Sequence, residues 1–461
     1  MTTVIKIFYI LLAYSQIYQD PYITNNKILN LTNNEQELVN HKGNSTCDEC
    51  DHVIKTNQFS FDGDQLNIKP GDIIGIASGI RGKIIFRNIQ GTKDKPVKII
   101  NCDGNVIIES DGNGILLLNS SHFRLTGTDI IKQDYGIQIR NTPKGAQGIV
   151  VSGRSSDFEI DHIKIHNTGF SGIMVKTDPS CKTNTYERGK FTMYNILIHN
   201  NFIHDIPGEG LYIGNSFYTG TKGYCGYVQY PHEIRNIKIF NNTIKNSGWE
   251  AIQLGCAVDS AEIFDNYIFN FGTQNKKSQN NGIQVGLGTT GKVYNNYIEK
   301  GPGAGIVIQG IGNNLIFNNI ILNVDHGINV NVRPTPLDSD VVSKGFLGGV
   351  YIINNTIGNA NIGISEYINR ASGNTLYNNH FLNVKKWNGL KPYTAWDVSH
   401  NLVENKGDEY MYNLKNRIEG SINIQPMALG QGKDVSCYEI VFDFNRKERL
   451  PNNYNVGAIE F

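Results

Sequence analysis

The stretch IFNNTIKNSGWEAIQLG, residues 239–255, contains the pattern that decides the fold: apolar, polar, Asn, apolar, a short gap, and then a small residue followed by Ile-x-apolar. The pattern recurs at least eight times, most plainly in VYNNYIEKGPGAGIVIQ (residues 293–309) and LIFNNIILNVDHGINV (residues 315–330). Such a repeat predicts an array of similar units, each packed on the one before. Equivalent residues of neighbouring units should therefore lie side by side.

The residue before each Ile-x-apolar or Leu-x-apolar segment sets the register of the units. Its shortest spacings are 22 and 23 residues, and the longer spacings fit the same unit with an insertion. We therefore expect these residues to form one column along the array. The predicted column consists of Gly114, Gly136, Gly172, Gly210, Ala251, Gly282, Gly305, Gly327 and Gly363.

Asparagines form a second regular series and predict tight turns between short strands. Asn tolerates left-handed backbone and bonds to neighbouring backbone, and stacked Asn side chains can bond to each other. No segment shows helical periodicity over about 10–15 residues, as a helical repeat would. The sequence therefore predicts an all-β protein, a right-handed parallel β-helix of about a dozen coils. The predicted asparagine column consists of Asn167, Asn201, Asn242, Asn266, Asn296, Asn319, Asn355 and Asn379.

The chain divides into four predicted segments. Residues 1–15 carry one Lys, an apolar run and a small-x-small site, which is typical of a secretory signal peptide, although a buried first strand is the alternative. Residues 16–58 are polar and predict a leader or N-terminal cap. Residues 59–402 hold the β-helix, and residues 403–461 predict a C-terminal cap over exposed strand edges. We therefore expect a secreted, extracellular or periplasmic protein without a membrane span.

The formal net charge is zero, from 42 basic and 42 acidic residues. Such a chain lacks a general electrostatic attraction for nucleic acid, so we expect no nucleic-acid partner, and we expect a monomer. Seven cysteines in an exported chain should form some disulfides. Cys47 and Cys50 could bridge locally or help to bind a metal. Cys181, Cys225 and Cys256 fall on consecutive predicted coils, where they could join loops.

Insertions are concentrated on neighbouring predicted coils. Loops at the same point of adjacent coils lie next to each other, so these insertions predict walls beside an exposed strand ladder. Long structured loops are usually functional, and a groove between walls suits an extended ligand such as a polysaccharide. The inserted segments are residues 141–148, 176–190, 215–232, 271–281 and 331–347.

Two glutamates are expected at the edge of this groove. Alternation along the strands directs Tyr212, Gln253 and Gln284 outward on three successive coils, so they should form an exposed column. Glu209 and Glu250 each precede a residue of the predicted glycine column. Their backbones should therefore lie about 4.8 Å apart, the spacing of neighbouring strands.

Three interpretations of Glu209 and Glu250 remain open. Two carboxylates this close do not both ionise easily. Ca²⁺ between them, helped by Asp205, Asn281 or a loop carbonyl, would find the oxygen ligands that it prefers. A raised pKa on one of them would give the acid/base pair that glycoside hydrolysis needs. In the third interpretation both side chains splay into solvent.

Charged and aromatic residues of the predicted wall loops are further candidates. Lys176, Arg188 and Lys222 could neutralise a uronate or act as a base, although ordinary surface charge is the simpler interpretation of each. Tyr218 and Tyr224 could stack on sugar rings, or they could pack within the loops.

The repeated unit over residues 66–402 resembles the pectin-lyase-like right-handed β-helix superfamily. The ending FDFNRKERLPNNYNVGAIEF (residues 442–461) is similar to the closing segment of secreted bacterial β-helix proteins. This superfamily includes polysaccharide lyases, glycoside hydrolases, uronan epimerases, phage tail proteins and adhesins. The Asp-Pro-His-Asp motif of alginate epimerases and the Asn-Thr-Asp and Gly-His-Gly motifs of polygalacturonases are missing. FEIDHIKIHN (residues 158–167) only loosely resembles the Asp-His strand of pectate lyases, so the resemblance implies the fold and leaves the reaction open.

These features together predict a carbohydrate-active protein, in the first place a polysaccharide lyase that acts on an acidic polysaccharide. A lyase must neutralise the uronate carboxylate, which acidifies the proton at C5, and must remove that proton with a base. A glycoside hydrolase that uses the glutamate pair, or a non-catalytic glycan-binding adhesin, is the alternative. Ca²⁺ is the candidate cofactor, and its predicted ligands are Glu209, Glu250 and Asp205. The predicted base is Tyr212, Lys222 or Arg188. The residues predicted to contact the sugars are Gln253, Gln284, Lys176, Tyr218 and Tyr224.

Overall fold

The computed structural model describes residues 46–127, 135–182, 185–222, 226–332, 348–405, 431–449 and 454–459. The predicted signal peptide, Tyr224 and Cys225 lie outside these residues. Within the described chain, 33 strands pair in parallel, each with its equivalents in the coils before and after it. The prediction of an all-β chain wound as a parallel β-helix of about a dozen coils is confirmed.

The coils form three parallel sheets, which we call A, B and C in the order in which each coil passes through them. Five long strands bend between sheets: Ile73–Arg81 and Val97–Glu109 from A into B, and Tyr297–Ile308, Ile320–Val332 and Thr356–Asn369 from B into C. Sheet A otherwise consists of His52–Ile54, Ser121–Thr126, Ser156–Asp161, Thr192–His199, Glu233–Phe240, Ala257–Asp259, Ala261–Phe264, Gly291–Tyr294, Asn314–Phe317, Val350–Ile353, Asn374–Tyr377 and Trp396–Ser399. Sheet B consists of Ile137–Arg140, Ile163–His166, Phe202–Ile206, Thr243–Ser247, Tyr267–Phe269, His380–Leu382 and Leu402–Glu404. Sheet C consists of Ser60–Asp62, Ile84–Arg87, Ile115–Leu118, Ile149–Ser152, Ile173–Val175, Leu211–Ile213, Ile252–Leu254, Ile283–Val285 and Lys386–Gly389.

Helical segments of the described chain are short. They comprise an α-helix at Gly63–Leu66 and 3₁₀ turns at Cys47–Glu49 and Ser436–Tyr438. No helix in this part of the chain has the length and hydropathy needed to cross a membrane.

Stacked aliphatic side chains fill the interior of the coils. Ile160, Ile198 and Ile239 lie in register on neighbouring strands of sheet A, and none of them is exposed. In Glu233–Phe240 buried and partly exposed residues alternate, because successive side chains of a strand point to opposite faces. The apolar columns that this alternation creates supply the burial that holds one coil on the next.

An asparagine ladder marks the turn between sheets A and B. The side-chain Nδ2 of each member donates to the Oδ1 of the next at 2.9–3.0 Å. The predicted asparagine column is therefore found, except that Asn167 lies in register with Asp205 in the turn after sheet B. The ladder consists of Asn201, Asn242, Asn266, Asn296, Asn319, Asn355, Asn379 and Asn401.

The predicted glycine column is wrong at one position. Gly136 precedes Ile137–Arg140, which belongs to sheet B, whereas Gly148 precedes the sheet C strand Ile149–Ser152. The error arose because the sequence around Gly136 has the same local pattern and follows Gly114 at the length of one unit. Residues 141–148 are thus the turn from sheet B to sheet C.

The described C-terminal residues pack along the side of the coils. Val435, Ile440 and Tyr454 form an apolar cluster with residues that include Ile353 and Tyr377 of sheet A. Whether the segment predicted as a cap covers the open end of the coils stays a prediction, because residues 406–430 lie outside the described chain.

Two cysteine predictions are wrong in part. Cys47 bonds to Cys102, with Cα atoms 5.0 Å apart, and Cys50 is free. Cys181 is disulfide-bonded, but Cys256 is a buried free thiol that packs against Tyr218.

Candidate functional site

Ser171, Glu209, Glu250 and Asn281 occupy the same position in four consecutive coils, where the turn from sheet B enters sheet C. The N–H of Gly172 donates to the carbonyl of Glu209 at 3.0 Å, and the N–H of Gly210 donates to the carbonyl of Glu250 at 3.0 Å. In the next coil the N–H of Ala251 donates to the carbonyl of Asn281 at 3.3 Å. We call these four residues the polar column. The predicted stacking of Glu209 on Glu250 is therefore found.

The glycine after Glu209 allows the coils to approach closely at this turn. A Cβ atom at Gly210 would lie 2.5 Å from the backbone oxygen of Ala251, which is far too short for any side chain. Gly210 thus allows the coil of Glu209 to lie directly against the coil of Glu250, in which Ala251 takes the equivalent position.

The polar column is enclosed. Glu209 is 1% exposed, Glu250 and Ser171 are 0% exposed, and Asn281 is 8% exposed. Within the described chain, the Ser171 Oγ and one carboxylate oxygen of each glutamate have no hydrogen-bond partner. The other carboxylate oxygen of Glu250 accepts a bond of 3.3 Å from the Asn281 amide. The interpretation in which the glutamates splay into solvent is therefore wrong.

Burial controls the protonation of the two glutamates. It raises the pKa of Glu209 from 4.5 to about 7, against the opposing charges of Lys276 and Lys176. It raises the pKa of Glu250 to about 8, and the neighbouring charge of Glu209 raises that pKa further. Both shifts follow from the loss of hydration of the charged form. At neutral pH the pair therefore holds at least one proton, unless a cation lies beside it.

Loop 271–281 lies over the aromatic residue next to Glu250. The N–H of Gly272 donates to the carbonyl of Trp249 at 3.1 Å, and the Lys276 ammonium lies 3.3 Å from the centre of the Trp249 ring. Phe170 packs edge-on against the same ring at 5.0 Å. Sequence reasoning missed Trp249, Lys276 and Phe170, although the insertion that ends at Asn281 was a signal that could have found the first two.

The outward residues of sheet C are less exposed than predicted. Tyr212 is half-buried, but Gln253 is 2% exposed and Gln284 is 7% exposed, so the prediction of an exposed column is wrong for both glutamines. Ser216 shields Gln253 from solvent, because the Ser216 Oγ accepts a 3.1 Å hydrogen bond from the Gln253 amide. The same Oγ lies 3.1 Å from the Tyr212 hydroxyl. Lys176 reaches over Tyr212, with its ammonium 5.0 Å from the ring centre. Tyr212 and Lys176 thus lie together outside sheet C, and the charge of Lys176 acts on Glu209.

Comparisons with known proteins agree with this architecture. Residues 230–408 match a family model described as "Right handed beta helix region", and no curated protein sequence matches the chain. The GH136 lacto-N-biosidase from Eubacterium ramulus matches with a TM-score of 0.52 at 12% identity, over 77% of this chain and 68% of that chain. The chain is a right-handed parallel β-helix.

Other solved structures match this β-helix with lower scores. The pectate lyase Pel9A gives a TM-score of 0.43 at 12% identity and covers 89% of this chain and 96% of its own. The PL6 family polysaccharide lyase from Pseudopedobacter saltans gives 0.41 at 14% identity, over 78% of this chain and 95% of its own. At such identities the likeness concerns the fold alone, so the predicted resemblance is confirmed for the fold.

The candidate residues predicted in the wall loops of the β-helix do not lie together in one site. Arg188 packs 3.8 Å from the ring centre of Tyr218, which is only 4% exposed, and lies 3.7 Å from the Glu233 carboxylate. Burial raises the pKa of Tyr218 to about 12. Arg188 and Tyr218 therefore hold the loops together and do not face the polar column. Lys222 is exposed, and Tyr224 lies outside the described residues.

Asp205 is not brought to the glutamate pair. Its carboxylate contacts His204 at 2.7 Å and accepts a bond of 2.6 Å from Asn246 in the next coil. Burial tends to raise its pKa, but these bonds lower it overall. Asn281, on the opposite side of Glu250, directs its amide nitrogen to that carboxylate, and its oxygen accepts a 3.1 Å bond from the N–H of Ala304.

A second acidic cluster of the β-helix lies on sheet A. Asp161 is fully buried and binds Arg124 through two bonds of 2.8 and 3.1 Å, and Thr126 through one of 2.6 Å. Glu159 contacts Arg124 at 3.1 Å and His199 at 2.9 Å. Glu159, Asp161 and His199 are close enough together to hold a metal ion. The Arg124 guanidinium already supplies the positive charge there, so this cluster fits an ion pair better than a metal.

Proposed function

We propose that the protein is a secreted carbohydrate-active β-helix and that it acts as a polysaccharide lyase on an acidic polysaccharide along the outer face of sheet C. One observation supports this most: Glu209 and Glu250 have raised pKa values, the charge of Lys176 acts on Glu209, and the same lysine lies over the half-buried Tyr212 ring. Titratable groups perturbed in this way are typical of functional sites. Extended ligands suit a face bounded by loops.

Tyr212 is the best-placed base for such a reaction. Its ring lies beside the Lys176 ammonium, which would neutralise the uronate carboxylate and so acidify the proton at C5. Tyr212, acting as the phenolate, takes that proton; a double bond forms between C4 and C5 while the bond from C4 to the glycosidic oxygen breaks, and the leaving oxygen takes up a proton from solvent. Lys222 remains a second candidate because it is exposed. Arg188 is a poor candidate, because it is packed between Tyr218 and Tyr230.

A cation held by Glu209 and Glu250 would add positive charge near the same edge. Carboxylate oxygens are ligands that Ca²⁺ prefers, but Asp205 bonds to His204 and Asn246, and the Asn281 oxygen accepts from the N–H of Ala304. Because both glutamates are enclosed, we assign the neutralisation of the substrate to the lysines.

Hydrolysis is the second candidate, because the raised pKa values of Glu209 and Glu250 suit a general acid. A glycoside hydrolase would use one protonated and one ionised carboxyl group of the pair. In that case loop 271–281 would have to open before a sugar could reach them.

One assay separates the candidates. The purified protein is incubated with pectate, alginate and glycosaminoglycans, and both the ultraviolet absorbance of an unsaturated product and new reducing ends are followed. A lyase gives both signals, and a hydrolase gives reducing ends alone. Glycan binding without either signal would favour the adhesin and overturn the proposed lyase.

A tyrosine variant tests the assignment of the base. Tyr212→Phe should lower kcat about 100-fold or more, which is the usual contribution of an acid/base group, and should leave the thermal unfolding midpoint unchanged. Tyr194→Phe is the matched control, because Tyr194 is 45% exposed on sheet A. Equal activity of the two variants would remove Tyr212 from the mechanism.

A further inference from the structure

We propose that the outer face of sheet B is a second binding surface for an acidic polysaccharide, with Lys164, Lys245 and Lys300 as the groups that bind its carboxylates. This surface lies on a different face of the coils from the reaction proposed on sheet C. The inference rests on the proposed function for the class of polymer, but its own evidence and its test do not depend on catalysis.

The first argument is the placement of the three lysines along the coils. Lys164 and Lys245 lie in strands of sheet B that are two coils apart, and Lys300 follows directly after sheet B another two coils on. Two coils correspond to roughly 10 Å along the axis. Lys164 and Lys245 are partly exposed, and Lys300 is exposed. The lysines thus recur at equal intervals along a solvent-accessible face.

The second argument is the aromatic support beneath the first two ammonium groups. The Lys164 ammonium lies 5.6 Å from the centre of the Phe202 ring, and the Lys245 ammonium lies 5.9 Å from the same centre. Lys245 also lies 5.6 Å from the ring centre of Tyr267. Contacts of this kind attract a cation to the face of the ring, so the two ammonium groups are held in place on either side of Phe202.

Lys300 is supported in the same way at the next interval. Its ammonium lies 5.5 Å from the centre of the Phe269 ring, which is partly exposed. All three lysines therefore rest on aromatic rings of sheet B, and a ligand bound by them has less side-chain motion to restrict than one bound by free lysines.

The third argument is the lack of internal anions for these cations. The lysine ion pairs of the described chain involve other lysines. The carboxylates near the face already have partners, since Glu109 bonds to Arg140 at 2.8 Å and Glu299 accepts a bond of 2.7 Å from the Tyr297 hydroxyl. Burial lowers the pKa of Lys245, and no carboxylate opposes this shift. The positive charge of the face is therefore available to an external anion.

The spacing of the charges favours a polysaccharide over nucleic acid. Double-stranded DNA carries one charge per about 1.7 Å of its axis, so ammonium groups roughly 10 Å apart would leave most of its phosphates without a partner. A polyuronate carries one carboxylate on each sugar ring and therefore fewer charges over the same length. The apolar faces of its rings can also pack on the partly exposed aromatic side chains between the lysines.

A second surface of this kind would keep the polymer close to sheet C. A chain held at one face of a protein reaches another face of the same protein at a high effective concentration. The three lysines thus serve to retain the polymer, and we assign them no part in the reaction.

Direct binding to the full-length protein tests the surface. Pectate, alginate and hyaluronate are titrated into the Tyr212→Phe variant by calorimetry at pH 7 and low salt, so that cleavage does not disturb the measurement. Lys164→Gln/Lys245→Gln/Lys300→Gln, which we call the sheet B variant, is then made in the same background. It should raise the Kd for the polymer bound most tightly about 10-fold or more, because three ion pairs worth up to about fivefold each are lost.

Two further variants separate charge from position. Lys93→Gln/Lys95→Gln/Lys98→Gln is the matched control, because it removes the same net charge at exposed residues beside the start of sheet A strand Val97–Glu109, and it should keep the Kd. Phe202→Leu keeps every lysine but removes the ring beneath two of them, so it should raise the Kd a few-fold. An unchanged Kd in Phe202→Leu would contradict the part given to the rings.

Four results would overturn the proposal: no binding of any of the three polymers, an unchanged Kd in the sheet B variant, an equal rise in the matched control, or single-stranded DNA bound as tightly as the best polysaccharide. Failure of the proposed lyase function is distinguishable. A natural chain that binds a polymer through these lysines without cleaving it would lose the lyase and keep the surface. If the natural chain is a lyase, the sheet B substitutions should raise KM for the polymer and leave kcat unchanged.

Discussion

Buried acidic side chains lie in sheet A and at the entry to sheet C, and the two regions differ in whether the carboxylate oxygens have partners. On sheet A, Asp161 is bound by the Arg124 guanidinium and the Thr126 hydroxyl. On sheet C, Glu209 and Glu250 each keep a buried oxygen without a partner in the described chain. A buried carboxylate that the fold satisfies is part of the structure, whereas one that the fold leaves unsatisfied indicates a missing proton or ion.

The pKa values follow the same division. Burial acts to raise the pKa of Asp161, but hydrogen bonds from His162 and Arg124 hold it well below its usual range. Burial also raises the pKa values of Glu209 and Glu250, and there the bonds and distant lysines are too weak to reverse it. Substitutions in the two regions should therefore change stability with opposite signs.

The largest expected effect is a loss of stability on sheet A. Arg124→Met should lower the free energy of unfolding by about 2–3 kcal/mol, because it leaves the fully buried Asp161 carboxylate without its cation; Arg124 itself is 36% exposed, so solvent screens part of the interaction. Chemical denaturation at pH 7 measures this. Lys83→Met is the control: Lys83 bonds to Asp111, but their side chains are 38% and 82% exposed, and such pairs contribute about 0–1 kcal/mol. A loss in Arg124→Met no greater than in Lys83→Met would contradict the interpretation of sheet A.

The next effect is a gain of stability on sheet C. In EDTA at pH 8, Glu250→Gln should raise the free energy of unfolding by about 1–2 kcal/mol. The neutral amide avoids the loss of hydration that the carboxylate suffers, although its own unpaired atoms cost part of that gain. The same denaturation experiment measures it. Destabilisation by Glu250→Gln in EDTA would mean that the glutamate is already satisfied.

A pH series should show both regions in one curve. The folded-state pKa values of Glu209 and Glu250 lie above their ordinary value of 4.5, so the folded chain binds more protons than the unfolded chain between about pH 4.5 and 8. The contribution of the two glutamates to stability in EDTA should therefore fall as the pH rises through this window. Below pH 6.5 His166 opposes it, because burial lowers the pKa of His166 to about 4. Asp161 has a lowered pKa, so its contribution should be lost as the pH falls below about 4.

Variants show which residues cause the loss of stability at higher pH and which cause the loss at acid pH. Glu209→Gln/Glu250→Gln should flatten the decline above pH 4.5, and Arg124→Met should weaken the decline on the acid side. The free energy of unfolding at each pH is the quantity to measure. A decline above pH 4.5 that survives in the double glutamine variant would assign it to other groups.

The fold could be predicted from the sequence because each coil repeats the same local rules. The columns of Ile, Asn and Gly recur at intervals of one coil, and Asn296 bonds to Asn319 in the position that the repeat predicts. The failure at Gly136 has a physical cause, since a strand of sheet B and a strand of sheet C obey the same alternation. The pairing of Ile137 with Val106 and Ile163 distinguishes them.

The candidate site could be predicted only in part. The repeat brings Glu209 to Glu250, but it says nothing about what covers them. Trp249 and Lys276 are brought together by an inserted loop that follows no repeat, and the cover of Gln253 depends on the single hydroxyl of Ser216. Loop packing depends on tertiary contacts that a periodic pattern does not encode.

The smallest expected effect concerns Lys276, the exposed lysine that faces the glutamate pair. Its charge lowers the pKa values of Glu209 and Glu250 without contacting their unbonded oxygens. In EDTA at pH 8, Lys276→Met should lower the free energy of unfolding by less than about 1 kcal/mol, because solvent screens an exposed charge.

Lys276 also packs on Trp249, so the charge effect must be separated from the lost ring contact. Introducing Lys276→Met into the Glu209→Gln/Glu250→Gln background does this, since the ring contact is then lost without any change in the interaction with carboxylates. The difference between the two backgrounds is the electrostatic coupling of Lys276 to the pair. Equal losses of stability in both backgrounds would show that the lysine acts through the tryptophan alone, and the unsatisfied carboxylates of sheet C would then lack even a distant compensating charge from this loop.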